Sequence, residues 1–338
     1  MPGLRIVQYG LGAIGSEVAR YVLSLPQYEL VGAIDIDPQK IGKDIGEVME
    51  MGRKLGVVVS GDASVLREAK TELVLHSTSS QLKAIRPQLI ECMESGCSII
   101  STCEELIYPY GRSPQLAEEI DRLAQGYGVV VLGIGVNPGF VMDVLPLALT
   151  SVCQDVKRIR ATRIVDASKR RLPLQRKIGA GMSVREFEER VAAGSIGHVG
   201  LMESARMVAD SLGWELDDMR ESIEPAVARK GIQTQYLRVE EGRVAGIRQI
   251  LRCTRDGEEV ITLELQMRVD AEDPHDAILI DGTPPIDLVL RGGIHGDSAT
   301  VAVVVNAIPR VLTSRPGLLT ARDLPVLFCN EELGRLRL

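Results

Sequence analysis

Aromatic side chains are scarce in this sequence: one Trp, seven Tyr and three Phe make up 3% of 338 residues. A core for a chain of this length must therefore be built from Val, Ile, Leu, Ala and Met. Six cysteines stand at 92, 97, 103, 153, 253 and 329, with no C-x-x-C spacing among them. That excludes a disulfide framework and a metal-binding ribbon, and we expect no metal. Lysine and arginine number 39 against 46 acidic residues, for a net charge of -7, and form no long block able to track phosphates, so nucleic acid is not an expected partner. Long hydrophobic runs are missing too. Stretches such as Gly128 to Val136 fall far short of the ~20 residues of a membrane helix. With no basic, apolar leader at the amino terminus either, a reduced, cytoplasmic protein without a membrane partner is expected.

What is present is ordinary for a soluble globular chain, 45% hydrophobic and 25% charged. At roughly 100 to 200 residues per domain, its length predicts two domains. Leu4 to Gly10 is a short apolar run that ends in Gly10-Leu11-Gly12-Ala13-Ile14-Gly15. Apolar residues at Ile14, Val18, Val22 and Leu25 then have helical spacing, and Glu29 to Ile36 reads as a second strand. Further strands are expected at Val57 to Ser60, Leu73 to Ser77, Ser98 to Thr102 and Val129 to Gly135, with helices at Gln81 to Ser95 and Ser113 to Gln125. Such alternation predicts an α/β domain with a doubly wound parallel sheet.

After about residue 155 the pattern changes. Gln235 to Glu240, Val244 to Arg255 and Glu258 to Val269, joined by Glu-Gly and Asp-Gly turns, read as antiparallel strands. Helical patterns cover Val184 to Ala193, His198 to Leu212 and Asp297 to Val311. We therefore expect a first domain at 1–140, a second, α+β domain at 141–296 that contains an antiparallel sheet, and a closing helix within 297–338 that returns to the first.

The glycine fingerprint points to a dinucleotide. Gly10 allows the tight turn, Gly12 the approach of a pyrophosphate and Gly15 the packing of helix on strand, while the amides around Ala13 and Ile14 complement the phosphate charge. Asp35, 20 residues beyond Gly15, is placed to accept from ribose hydroxyls, which favours NAD. Lys40 and Lys43 follow closely and can offset a 2'-phosphate, so NADP stays open. Ser77 and Thr78 leave the fourth strand at the cofactor edge, where they either line the cofactor or cap the next helix; His76 before them is expected to pack. After the following strand comes Cys103-Glu104-Glu105. A carboxylate there can act as a base or hold an ammonium group, or both can be helix-start acids. Cys103 beside them makes a poor nucleophile. Gly133-Ile-Gly-Val-Asn137-Pro-Gly139-Phe140 lets the chain pass close to a flat ring, with Gly139 expected to open a helix.

GLGAIG, STCEEL, GVNPGFVMD, RRLPLQRKIGAGMS and GGIHGDSAT together resemble the 2,4-diaminopentanoate dehydrogenases and the native amine dehydrogenases, within the dihydrodipicolinate-reductase-like group. The likeness covers nearly the whole chain. It implies a Rossmann first domain, a second domain carrying the substrate pocket and dimer contact, and a homodimer. It implies Glu104 as the residue of amine chemistry, with Glu105 as the fallback. It further implies pocket roles for Asn137, Phe140, Arg163, Asp166, His198 and Thr300, each with a plainer alternative: a cap for His198, a surface ion pair for Arg163 with Asp166, a core contact for Thr300. Dihydrodipicolinate reductases carry a paired-histidine motif that this chain lacks, which disfavours that activity. The expected reaction is NAD(P)-dependent oxidation of a primary amine, chiefly 2,4-diaminopentanoate, to a ketone and ammonia, or its reversal. Simple aliphatic or cyclic amines are the alternative substrates, and a non-catalytic NAD(P) sensor is the alternative of another class.

Overall fold

The computed structural model describes residues 3–329. The chain divides into two units, parted between Gly139 and Phe140 and again between His295 and Gly296. In the first, strands Leu4–Tyr9 (β1), Tyr28–Ile34 (β2), Val59–Ser60 (β3), Leu73–His76 (β4), Ser98–Ser101 (β5) and Val130–Gly133 (β6) alternate with helices. The helices are Ala13–Leu23 (α1), Ile45–Val48 (α2), Ser64–Glu68 (α3), Leu82–Glu94 (α4) and Pro114–Tyr127 (α5). The second unit contains Val144–Thr150 (α6), Asp155–Asp166 (β7), Leu172–Lys177 (α7), Val184–Ala192 (α8), Leu201–Ser211 (α9) and Asp218–Val227 (β8). It continues through Ile232–Gln233 (β9), Arg238–Val239 (β10), Val244–Arg255 (β11), Glu258–Arg268 (β12), His275–Thr283 (β13) and Ile286–Arg291 (β14). Gly296–Thr313 (α10) and Gly317–Leu319 (β15) belong to the first unit.

The first unit's sheet runs β15-β6-β5-β4-β1-β2-β3, all pairs parallel. Every residue of β4 and β6 is buried, as a strand covered on both faces requires. Helix α1 turns Gly15, Val18, Ala19 and Val22 inward at helical spacing. On the α4 and α5 side, Leu82, Ile85 and Leu89 pack with Ile99, Val131 and Ile120 in one core. Strand order reverses between β4 and β1, and that switch point sets the crevice at the carboxyl edge.

The second unit's sheet runs β14-β13-β7-β12-β11-β8, mixed because β7 and β12 are parallel. Four expectations are corrected here. The strand expected at 235–240 shrinks to Arg238–Val239, because the Thr234 hydroxyl accepts from the amides of Tyr236 and Leu237 and folds that stretch into a turn. The helix expected from His198 begins only at Leu201, since Gly197 and Gly200 have φ of 144° and 125°. Gly139 opens no helix: at φ 115° it makes a turn in which a Cβ would lie 2.6 Å from the Gly135 nitrogen, and α6 starts at Val144, capped by Asp143. The strand expected from Val57 joins the parallel sheet only at Val59 and Ser60, while Val58 makes an isolated bridge to Asp44. Among the described residues, no helix is long and apolar enough to cross a membrane.

Strands β7 and β13 are tied by a buried ion pair. Arg163 Nη1 lies 3.0 Å from both carboxylate oxygens of Asp276, its cross-strand neighbour, and Arg163 Nη2 donates to the Ile294 carbonyl at 2.6 Å. The Ile294 amide returns to Asp276 at 2.7 Å. Burial pulls Arg163 below its ordinary pKa and pushes Asp276 above its own, so desolvation outweighs their attraction at both partners. Such a pair adds little net stability but is costly to break. Arg163→Met should destabilise the chain by about 3–5 kcal/mol by stranding Asp276. Chemical denaturation should show Arg163→Met with Asp276→Leu to be less destabilised than Arg163→Met alone; equal or greater loss in the double variant would contradict this account.

Candidate functional site

The carboxyl edge of the parallel sheet begins at Gly10, which follows β1 with φ 90°. A Cβ there would stand 2.4 Å from the Ser77 carbonyl oxygen, so the glycine turn and the loop after β4 are pressed together. A Cβ on Gly15 would meet the Gly10 carbonyl oxygen at 1.9 Å, which closes α1 onto the turn. Gly12 differs: a Cβ there meets nothing within 4 Å, and no side chain caps α1. The head of that helix, at Ala13 and Ile14, thus starts beside the one glycine of the fingerprint at which a side chain would meet nothing.

Asp35 follows β2 and is 8% exposed. Its Oδ2 accepts from the Leu11 amide at 2.8 Å and from Lys40 Nζ at 3.0 Å, and its Oδ1 accepts from the Asp37 amide at 2.9 Å. Burial pushes its pKa upward, yet these amides and the ammonium hold it below the usual carboxylate value. Ile36 beside it is 79% exposed, a free apolar wall at the strand end.

His76 ends β4 and is fixed on both ring nitrogens. Nδ1 lies 3.0 Å from Ser101 Oγ, and Nε2 lies 2.8 Å from Gln88 Oε1 and 3.1 Å from Thr78 Oγ1. Burial lowers its pKa to about 4, so the ring is neutral at physiological pH and serves as packing. Thr78 is held by Gln88 as well, at 2.7 Å. The buried Ser77 Oγ has no hydrogen-bond partner, and neither has the buried Asn137 Oδ1. Both are polar atoms in loops at the carboxyl edge of the sheet, after β4 and β6.

Glu104 and Glu105 start a short 3₁₀ turn at Glu104–Leu106. Glu105 Oε2 accepts from the Leu82 amide at the head of α4 at 2.8 Å, and Oε1 pairs with Arg112 at 3.1 Å. Its carboxylate is therefore a helix cap and an ion-pair partner. Glu104 is half-buried and takes no part in that cap. The turn lies against the end of β6, where a Cβ on Gly133 would meet the Leu106 carbonyl oxygen at 2.5 Å and one on Gly135 would meet Ile107 at 3.4 Å. This brings the Glu104 turn onto the strand that leads to Asn137. Burial raises the Cys103 thiol to about 12, with the two glutamates adding to the shift, so it stays protonated.

Thr300 lies half-buried on α10, in the same unit as Glu104 and Asn137. The remaining expected pocket residues belong to the second unit. Phe140 is half-buried, with its carbonyl accepting from Leu145. Arg163 and Asp166, three positions apart on one strand, point to opposite faces. They form no surface pair: Arg163 is committed to Asp276, and Asp166 accepts from the amide and hydroxyl of Ser168 at 2.9 and 2.6 Å. His198 lies in the turn before α9, its amide donating to Gln249 Oε1 at 2.7 Å and its carbonyl accepting from Gln249 Nε2 at 2.9 Å. Sequence reasoning passed over Gln249 and also Gln8, whose Nε2 donates to the Gly10 carbonyl at 3.0 Å. A fully buried glutamine inside the apolar run LRIVQYG was the signal for the second. Among the described residues, no group of three or more His, Cys, Asp or Glu side chains lies together as a metal site.

The pinned imidazole gives a pH prediction. A histidine whose pKa drops from 6.5 to about 4 on folding contributes stability above pH 6.5 that is lost as the pH falls through 4, at most roughly 3 kcal/mol. Thermal melts of His76→Gln should lose that part of the acid sensitivity between pH 6.5 and 4. An unchanged difference between wild type and variant over this range would refute the assignment.

Comparison with known proteins shows what the chain resembles. Residues 140–335 match the family described as 2,4-diaminopentanoate dehydrogenase C-terminal domain, and residues 4–103 match the dihydrodipicolinate reductase N-terminus. The chain is 33% identical to a 2,4-diaminopentanoate dehydrogenase of Acetoanaerobium sticklandii, over 96% of this chain and 94% of that one. It is 26% identical to an amine dehydrogenase of Streptomyces virginiae, over 97% and 98%. The solved structure of an amine dehydrogenase from Mycobacterium smegmatis superposes with a TM-score of 0.86 at 28% identity, covering 98% of each chain.

Proposed function

The chain belongs to the 2,4-diaminopentanoate dehydrogenase family, and from that premise we propose that it oxidises a primary amine with a nicotinamide dinucleotide, 2,4-diaminopentanoate being the first candidate. The observation that carries the chemical part is the carboxylate pair placed in the turn after β5 at the carboxyl edge of the sheet, of which Glu105 is engaged by the Leu82 amide and Arg112. The residues present fit a dinucleotide. The open cradle at Gly12, the uncapped head of α1 and Asp35 at the end of β2 would hold its phosphate and ribose parts, and the partnerless Ser77 Oγ and Asn137 Oδ1 would receive donors. When bound, the nicotinamide supplies the hydride acceptor.

Glu104 holds the substrate ammonium by charge and, as the neutral amine is needed for reaction, accepts its proton. Loss of the hydride from the amine-bearing carbon leaves a C=N⁺ bond, to which water adds before ammonia departs, giving the ketone. The balance is neutral amine, water and oxidised cofactor to ketone, ammonium and reduced cofactor, and the proton that Glu104 took from the substrate ammonium passes to solvent. Asn137 orients, and Phe140, Asp166, His198 and Thr300 are the proposed pocket residues. Arg163 enters as the residue that steadies Ile294, with its guanidinium committed inside the fold. Simple alkylamines are the second reading, favoured by likeness over nearly full length to amine dehydrogenases. Absorbance at 340 nm, with 2,4-diaminopentanoate and simple amines each offered with NAD and NADP, separates the two readings. Silence across the panel, with cofactor still bound, would favour a sensor.

Glu104→Gln should keep its fold and cofactor affinity and lose about 10²- to 10⁴-fold in amine turnover. Glu105→Gln should keep most turnover and lose about 1 kcal/mol or less in stability, because a cap and a half-exposed pair are weakened. A collapse of turnover confined to Glu105→Gln would move the catalytic role to that residue.

The second unit's sheet supports a homodimer. One face, with Ile159, Ala161, Ile278, Ile280, Leu263 and Leu265, is buried. On the other, Leu279 is 46% exposed opposite Arg160, and Val289 is 51% exposed opposite Ala277. A second copy would cover that face. Light scattering at micromolar concentration should return a dimer and Leu279→Glu a monomer; a wild-type monomer would end this proposal.

A further inference from the structure

We propose that Lys40 is a specificity-determining residue of the dinucleotide site, one that cancels the charge of Asp35 and so admits a cofactor with a 2'-phosphate as well as one without. The inference rests on the dinucleotide reading above and extends it to which of the two cofactors is tolerated.

Lys40 Nζ bridges two atoms, Asp35 Oδ2 at 3.0 Å and the Leu11 carbonyl oxygen at 3.1 Å. The same Leu11 peptide donates its amide to the same Asp35 oxygen at 2.8 Å. Leu11, Asp35 and Lys40 thus close a ring in which the ammonium is tied to the glycine turn rather than left to solvent. The Lys40 side chain is only 26% exposed and that of Asp35 10%, so their pairing is less screened than a surface contact. Asp37 is the other carboxylate near the ammonium, at 3.9 Å, but it is 41% exposed and its charge is correspondingly weakened. Lys43 nearby is exposed.

An acid at the end of the second strand selects against a 2'-phosphate in two ways. It repels the charge, and it rewards free ribose hydroxyls by accepting from them. Here both are blunted. The negative charge has an ammonium within hydrogen-bond distance, and Oδ2 already accepts from both Leu11 and Lys40. One acceptor position remains on Oδ1, beside the bond from Asp37, for a ribose hydroxyl. A phosphate in its place would meet Lys40 as a point-charge donor. The pair therefore reads either group, with the acid serving the hydroxyl and the lysine serving the phosphate.

Fluorescence titration of the intact chain with NADH and with NADPH tests this without reference to amine turnover. Wild type should bind both. Lys40→Gln should weaken NADPH by roughly 10- to 100-fold, the effect of one lost charge-assisted contact, and NADH by no more than about threefold. Adding Asp35→Asn to Lys40→Gln should recover part of the NADPH affinity, because the uncompensated carboxylate is then gone. Raising the salt should shrink the NADPH difference between wild type and Lys40→Gln. Equal weakening of both cofactors in Lys40→Gln would show that the lysine only holds the loop, and would overturn the proposal. So would a wild type that binds NADH and rejects NADPH. Binding of neither by wild type would overturn the dinucleotide reading itself.

Discussion

At Gly15 a single methyl group would reach within 1.9 Å of the Gly10 carbonyl oxygen, and the first unit depends on that approach being possible. Because it is, α1 begins directly over the end of β1, its head points along the carboxyl edge of the sheet, and Gly12 is left at the opening with nothing above it. The second close approach, of Gly10 against Ser77, fixes the loop after β4 at the same edge. Gln8 fastens the turn from beneath by holding the Gly10 carbonyl. An anion-binding head of a helix is common wherever helices start. Here it is aimed, because backbone contacts on two sides allow the turn one path.

Several buried polar groups in both units are satisfied by a neighbour close at hand. His76 is kept neutral between Ser101 and Gln88. Asp35 keeps its charge because two amides and an ammonium surround it. Arg163 and Asp276 satisfy each other and the peptide of Ile294. Glu105 is absorbed by the start of α4. Ser77 Oγ and Asn137 Oδ1 are among the buried polar atoms without such a partner, and both stand in loops at the carboxyl edge of the sheet.

The first unit was largely legible because its signals are local. Short apolar runs, helical spacing and a glycine fingerprint each occupy a few consecutive residues, and the structure places strands and helices within a few residues of them. The second unit was less so. Strands β8, β13 and β14 were not expected: each has one face open, and charged neighbours such as Arg220 and Glu221 disturb the alternation. The turn made by the Thr234 hydroxyl and the delayed start of α9 depend on hydroxyl bonding and backbone angles that apolar spacing does not carry. At the site, adjacent glutamates looked alike in sequence. They differ because the amide of Leu82, 23 residues earlier, takes one of them, a partner that only the fold supplies. Arg163 shows the opposite case: a residue type suited to binding a ligand was already claimed by a strand neighbour 113 positions away.

The two units also differ in what they resemble. The elements from the glycine turn to the end of β5 lie in a stretch shared with the dihydrodipicolinate reductase N-terminus, which ends just before Glu104, and nothing in such a scaffold chooses an amine. The stretch from Phe140 onward is where likeness to the 2,4-diaminopentanoate dehydrogenases is specific. A substrate with two amines and a carboxylate differs from a simple alkylamine in charge and length, not in the carbon that gives up its hydride. Discrimination between them therefore has to come from groups that contact the distant end of the substrate. The role proposed for Glu104 would serve both classes equally, so it argues for amine chemistry without naming the amine. In the proposed pocket that choice would fall to Phe140, Asp166 and His198, and of these Asp166 already accepts from Ser168. A second ammonium placed there would have to compete with that hydroxyl, while His198 has its peptide clamped from both sides by Gln249.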